Sequence, residues 1–199
     1  MKQIPFDPSR IKVLHITVCA MMIVGLVLNV GVPVAHAATI TVNTFDDELN
    51  NDGDCSLREA IQAANTDSPV DACAGDTDPD TITLRAGTYT LSLPGVNENA
   101  GATGDLDITS TNAVTITGAG AGTTIINAGD TNVGVLGDRV FEVRPNANLT
   151  ISGVTIRGGD SRISTGSTVR NGGGILNSGG TLTVTDSIIS GNNAGYGGG

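Results

Sequence analysis

Tryptophan is absent from this chain of 199 residues, and the only other large aromatics are three phenylalanines and two tyrosines. Sugar-binding platforms depend on aromatic faces, so dense carbohydrate recognition finds little support. Histidine and lysine are as scarce: His15, His36, Lys2 and Lys12 all fall within the first 37 residues. The rest of the chain therefore lacks the commonest general bases, and it offers a zinc-type site no nitrogen ligand. Positive charge is scarce too. From residue 38 onward seven arginines face nineteen acids, a net charge of −12, and so acidic a surface excludes nucleic acid as a partner.

One long apolar run is present, and it stands at the start. Lys2, Arg10 and Lys12 precede an almost wholly apolar stretch from Val13 to Val34, and Ala35-His36-Ala37 has the small-x-small form of a signal-peptidase site. Cleavage is expected between Ala37 and Ala38, with residues 1–37 as signal peptide. An uncleaved anchor is the alternative, because the run is long enough to span a bilayer. A lipid anchor at Cys19 is disfavoured by Val18, where a small residue would be needed.

Export bears on the cysteines. Cys55 and Cys73 are the two that remain after cleavage, and an oxidising compartment makes a disulfide between them the expectation. Between them Ser56 and Glu59 form an S-x-x-E capping box, so a helix should start at Leu57. Leu57, Ala60, Ile61 and Ala64 follow helical spacing, which places Arg58, Gln62 and Ala63 toward water, with Asn65 as the C-cap. A helix of about nine residues is too short to hold itself in water and must lie on an apolar surface.

No second helical pattern follows Asn65. Glycine-rich turns instead separate short stretches in which β-branched residues alternate with Thr or Ser. These predict strands at Thr39–Asn43, Thr81–Leu84, Tyr89–Leu93, Leu106–Thr109, Val114–Thr117, Thr124–Asn127, Val140–Val143, Leu149–Ser152, Val154–Arg157, Gly174–Asn177, Leu182–Thr185 and Ser187–Ser190. Leu149–Ile156 aligns with Leu182–Ile189 at an offset of 33, and the glycine run after Asn171 recurs after Tyr196 at an offset of 25. Periods in that range mark stacked coils; the longer step is read as a coil of about 25 residues carrying an extra loop, residues 158–170. The expected fold is all-β, a parallel β-helix solenoid of coils over residues 81–199. An N-terminal cap over residues 38–80 would hold the helix from about Leu57 to Asn65 and the disulfide.

Cys55-Ser-Leu-Arg-Glu-Ala-Ile61, with Ala63-Ala-Asn65 after it and Ile82-Thr-Leu84 and Ala86-Gly-Thr-Tyr89 beyond, resembles the CSLREA N-terminal segment of bacterial exported proteins. The Gly-Gly-Gly-Ile-Leu-Asn and Leu-Thr-Val-Thr-Asp-Ser units are similar to repeats of right-handed parallel β-helix proteins, including polymorphic outer-membrane-type repeats. The resemblance implies a pectin-lyase-like β-helix on a secreted or cell-envelope bacterial protein, and it supplies no catalytic residues. The chain stops inside what reads as a fresh repeat, so a fragment is expected, with further coils or a C-terminal anchor beyond Gly199. Membrane association would come only through the signal segment or such an anchor.

Three chemistries are open to these residues. Glu48, Asn50, Asp52 and Gly53, with Glu59, have the spacing of a twelve-residue calcium loop; Asp54 adds a further oxygen donor, and the wider group Asp46, Asp47, Asp76, Asp78 and Asp80 offers more. Calcium is the one candidate cofactor, against the plainer reading of solvated acidic turns. Polysaccharide cleavage, as a lyase or glycoside hydrolase of the pectin-lyase-like class and calcium-dependent in one version, would fall to Asp105 and Asp107 with Arg139, Arg157 or Arg162. Arginine is a poor base, so outward charges that keep a strand face soluble are the better reading. The function expected is therefore structural, adhesive or surface-recognising, with glycans or other cell-surface components as partners and no evident catalytic site. Of the aromatics after the leader, Tyr89 and Phe141 are assigned to packing, leaving Phe45 and Tyr196.

Overall fold

The computed structural model describes residues 37, 39–77, 79–96, 98–129, 137–162 and 171–197. The expected targeting segment, Cys19 and Ala38 included, lies outside the described residues except for Ala37, as do Asp78, residues 163–170 of the expected extra loop, and Gly199.

The alternation of β-branched and hydroxyl residues produces short strands, and each of the twelve expected stretches overlaps one, the stretch at Tyr89–Leu93 by only two residues because its strand starts at Gly87. They are β1 (Thr39–Thr41), β2 (Asp80–Leu84), β3 (Gly87–Thr90), β4 (Leu106–Ile108), β5 (Ala113–Gly118), β6 (Thr124–Asn127), β7 (Phe141–Val143), β8 (Asn148–Ser152), β9 (Thr155–Arg157), β10 (Ile175–Asn177), β11 (Thr181–Thr185) and β12 (Ile188–Ile189). One helix, α1 (Leu57–Thr66), stands between β1 and β2. The fold is thus mostly β, and no helix among the described residues is long and apolar enough to cross a membrane.

Every strand pairs in parallel with its neighbour. A five-stranded sheet has the order β1-β2-β5-β8-β11, a four-stranded sheet β3-β6-β9-β12, and a three-stranded sheet β4-β7-β10. From β2 onward the chain visits these three sheets in fixed rotation, and register follows the sequence repeat. Leu149 lies opposite Leu182, and Ile156 opposite Ile189, as the 33-residue offset predicts. Asn171 bridges Tyr196 at the shorter offset. Long steps recur elsewhere, since Thr115 pairs with Thr150 and Leu106 with Phe141; the fall from 33 at Asp160 and Asn193 to 25 at Asn171 and Tyr196 agrees with the extra loop expected in residues 158–170. The turns that carry the chain between sheets supply the extra residues.

Side-chain alternation sorts each strand into a core row and an outer row. Ile40, Ile82, Ile116, Ile151 and Val184 lie in one line across the five-stranded sheet, and Tyr89, Ile126, Ile156 and Ile189 in another across the four-stranded sheet. All but Val184 and Ile189 are buried. The outer face of the five-stranded sheet carries two hydroxyl rows, Thr39-Thr81-Thr115-Thr150-Thr183 and Thr41-Thr83-Thr117-Ser152-Thr185. Glycine lets successive turns approach: a Cβ on Gly118 would collide with the carbonyl oxygen of Gly153, itself at φ +67°. At the β12 edge, Ile188 is 49% exposed.

Helix α1 begins at Leu57 as its capping box predicts. The Glu59 amide donates to Ser56 Oγ, and the Ser56 amide to Glu59 Oε2. Its other end and its polar face differ from expectation. Asp67, in left-handed conformation at φ 51°, is the C-cap, and its amide donates to Ala63 O. Asn65 instead reaches the three-stranded sheet: its Nδ2 donates to Asp107 O (2.7 Å), and its Oδ1 accepts from the Thr109 and Ser110 amides (2.9 and 3.2 Å). Arg58 and Ala63, expected in water, are fully buried. Arg58, Gln62 and Asn65 form one stripe at helical spacing, and that stripe lies on the edge of β4 and the turn before it. The helix therefore satisfies backbone groups that an edge strand would leave open, while Leu57, Ala60, Ile61 and Ala64 enter the core. The Cys55–Cys73 disulfide is present, spanning 18 residues across the helix.

Candidate functional site

Among the described residues, two groups of acids have the geometry of an oxygen-ligand site, and the first is the expected one. In the loop between β1 and α1, Glu48, Asp52 and Asp54 each place a carboxylate oxygen within 4.8 Å of the others. Asn50 is drawn in as a donor: its Nδ2 bonds Glu48 Oε2 (2.7 Å) and Asp52 Oδ2 (3.2 Å). Both oxygens of Glu59, the residue at position twelve, already accept amides, from Asn50 and from Ser56. The loop is also tied to Asp71, whose Oδ2 accepts the amides of Asp52 and Gly53. Partial desolvation, reinforced by the neighbouring carboxylates, raises the pKa of Glu48 and of Asp54. The loop remains largely open to water, with Asp52 exposed.

Among the described residues, the wider acidic group does not assemble. Asp47 turns inward to hold Arg58 through both oxygens (2.7 and 3.1 Å), and its Oδ2 also accepts the amides of Ser92 and Leu93. Asp46 caps its own turn at Thr44, Asp76 accepts the Thr77 amide, and Asp80 is buried in β2.

The second group corrects the reading of Asp105 and Asp107 as outward, solubilising charges. The two do point away from the core row of β4, but they are 1% and 0% exposed. The turn between β3 and β4 folds over them: the Gly101 amide donates to Asp107 Oδ2 at 3.0 Å, and Arg58 grips the Gly101 and Gly104 carbonyls. Glu142 of β7, the register partner of Asp107, completes the group. Asp105, Asp107 and Glu142 each offer an oxygen within 4.8 Å of the other two.

Two arginines serve this group. Arg139 Nη1 bonds Asp105 Oδ2 (3.1 Å) and Glu142 Oε2 (2.6 Å), and its Nη2 lies 3.7 Å from Asp138. Arg144 bonds Glu142 Oε1 (2.7 Å) and Asn99. Ser178 Oγ also donates to Glu142 Oε1. Asp105 Oδ1 and Asp107 Oδ1 are buried with no hydrogen-bond partner. Burial, aided by the charges of Asp138 and Asp107 and opposed by Arg139, pushes Asp105 up to about 8. Burial and the Glu142 charge push Asp107 up to about 7. Glu142 was not among the residues singled out from the sequence. The signal for it is positional: an acid between Phe141 and Val143 falls at the same place in its repeat as Asp107 does in the preceding one.

The other arginines weighed as bases are elsewhere. Arg162 forks onto Asp160 through Nε and Nη2. Arg157, at the end of β9, borders an open polar cleft of about 400 Å³ with Asn127, Ser190 and Asn193. The aromatics fall as assigned, with Tyr89 and Phe141 in the core. Phe45 leans on Tyr89, with the Arg85 guanidinium 4.2 Å above its ring. Comparison of the chain with family models, with curated proteins and with solved structures finds no match.

Proposed function

We propose that this chain is a bacterial exported or cell-surface protein of the CSLREA type. In this reading it is a right-handed, pectin-lyase-like parallel β-helix with a structural or adhesive role, acting through surface contacts with glycans or other envelope components and not through catalysis. Rotation of the chain through three parallel sheets supports the solenoid, and parallel crossovers are right-handed in nearly all known cases. The disulfide at Cys55 and Cys73 agrees with an oxidising destination. Residues 1–37 act as the signal, cut between Ala37 and Ala38.

The observation that carries the non-catalytic reading is the burial of Asp105 and Asp107. The alternative, a polysaccharide lyase or glycoside hydrolase, rests on this pair, and a polymer cannot reach carboxylates covered by the β3–β4 turn. The acidic surface disfavours nucleic acid, and calcium at Glu48, Asn50, Asp52 and Asp54 would be an accessory to the loop.

The test has two arms. Protein secreted by a bacterial host should begin at Ala38 by N-terminal sequencing, and should bind whole cells or a subset of an arrayed glycan library. Incubation with uronate polymers, with and without calcium, should give no unsaturated product absorbing in the ultraviolet. Product formation lost in Asp107→Asn would overturn the non-catalytic reading, and retention of residues 1–37 on the exported chain would overturn the leader.

A further inference from the structure

Among the described residues, the group beneath the β3–β4 turn holds more negative charge than its partners neutralise. Asp105, Asp107, Asp138 and Glu142 face Arg139 and Arg144, and Glu98 in the covering turn adds to the field at Asp107. The surplus is at least two if all are ionised. Burying uncompensated carboxylates is costly, and proteins relieve it by protonation, pairing or a bound cation. Neither arginine bonds Asp107, whose Oδ2 accepts the Gly101 amide.

We propose that Asp105, Asp107 and Glu142 form a structural site for one calcium ion, sealed between the outer face of β4 and β7 and the turn that covers them. The geometry has three parts. The carboxylate oxygens lie within 4.8 Å of one another, and oxygens on opposite sides of a calcium ion are separated by about that much, since each bond is roughly 2.3–2.6 Å. Asp105 Oδ1 and Asp107 Oδ1 are buried and have no hydrogen-bond partner, so two hard oxygens are free to take a cation. The register places Asp107 directly opposite Glu142, so two ligands come from adjacent strands whose spacing is set by backbone pairing.

This site differs from the acidic loop at Glu48, Asp52 and Asp54 in what it would do. An ion in the open loop would exchange freely with water. An ion under the turn would tie β4, β7 and residues 98–104 together, and would remove the repulsion that now opposes ionisation there.

The experiment is calorimetric titration of the chelator-stripped full chain with calcium chloride, alongside thermal unfolding. Expected are one saturable site and, at calcium about 100-fold above Kd, a rise in Tm of roughly 5–10 °C. Glu142→Gln and Asp107→Asn should each weaken binding at least about tenfold, while Asp52→Asn leaves it unchanged. No heat and no Tm shift, or a response that survives Glu142→Gln and disappears in Asp52→Asn, would overturn the proposal. Should the core variants fail to fold, a crystal structure of the unaltered protein grown with calcium decides. Calcium on oxygens of Asp105, Asp107 and Glu142 supports the site, and calcium absent or confined to the loop removes it.

Discussion

Arg58 shows how much one residue can be misplaced by periodicity alone. Its position beside the stripe of Leu57 and Ile61 on a helical wheel points to solvent, yet its guanidinium is wholly buried and spends its donors on Asp47, Gly101, Gly104 and Asp105. Replacing it with alanine strands the Asp47 carboxylate and three carbonyls, and breaking a buried ion pair from one side costs about 3–5 kcal/mol. Urea unfolding of Arg58→Ala should show a loss of that size. Arg58→Lys should recover only part of it, because an ammonium cannot fork onto a carboxylate and reach the turn at once. Asp105 and Asp107 set a different dependence. Their folded pKa values, about 8 and about 7, lie above the ordinary value of 3.8. Folding therefore favours their protonated forms: the stability they contribute is fully present below about pH 4 and is lost as pH rises through about 7 and 8. In calcium-free buffer the Tm should fall across that range, and the fall should be shallower in Asp107→Asn.

At the scale of the element, α1 was legible in its start and in its apolar stripe. A capping box and four small or aliphatic residues at helical spacing are local facts, and local facts survive folding. Its polar stripe was not legible, because whether Arg58, Gln62 and Asn65 meet water or an edge strand depends on where β4 lies, more than forty residues later in the chain. Asn65 mimics a C-cap in sequence and acts as an edge clamp in space, and the helix runs one residue further to Thr66. Each anchoring device has a measurable weight. Ser56→Ala should cost about 1 kcal/mol by loss of the cap. Opening the Cys55–Cys73 loop by paired serine substitutions should cost about 3 kcal/mol in equilibrium unfolding, since cross-linking restricts the denatured chain.

For the whole molecule, the strand positions and the 33-residue register were readable because parallel stacking places like residues over like: Ile82, Ile116 and Ile151 repeat in the core as they do in the sequence. Burial of Asp105 and Asp107 was not readable, since the β3–β4 turn that covers them belongs to no repeat. Each strand pairs only with the strands before and after it in its own sheet, so protection should be graded along the stack. Amide hydrogen exchange in this 199-residue chain should be slowest in β5 and β8, which are flanked on both sides, and fastest in β11 and β12. Uniform exchange across the sheets would contradict nearest-neighbour pairing as the source of stability. The stripe on α1 then gives the three-stranded sheet a polarity that its hydrogen bonds alone would not. The edge of β4 has bonding groups filled by the Asn65 side chain and not by another strand. A strand arriving at β4 from outside would find those groups already bonded, so the helix works there as a stopper against edge-to-edge pairing.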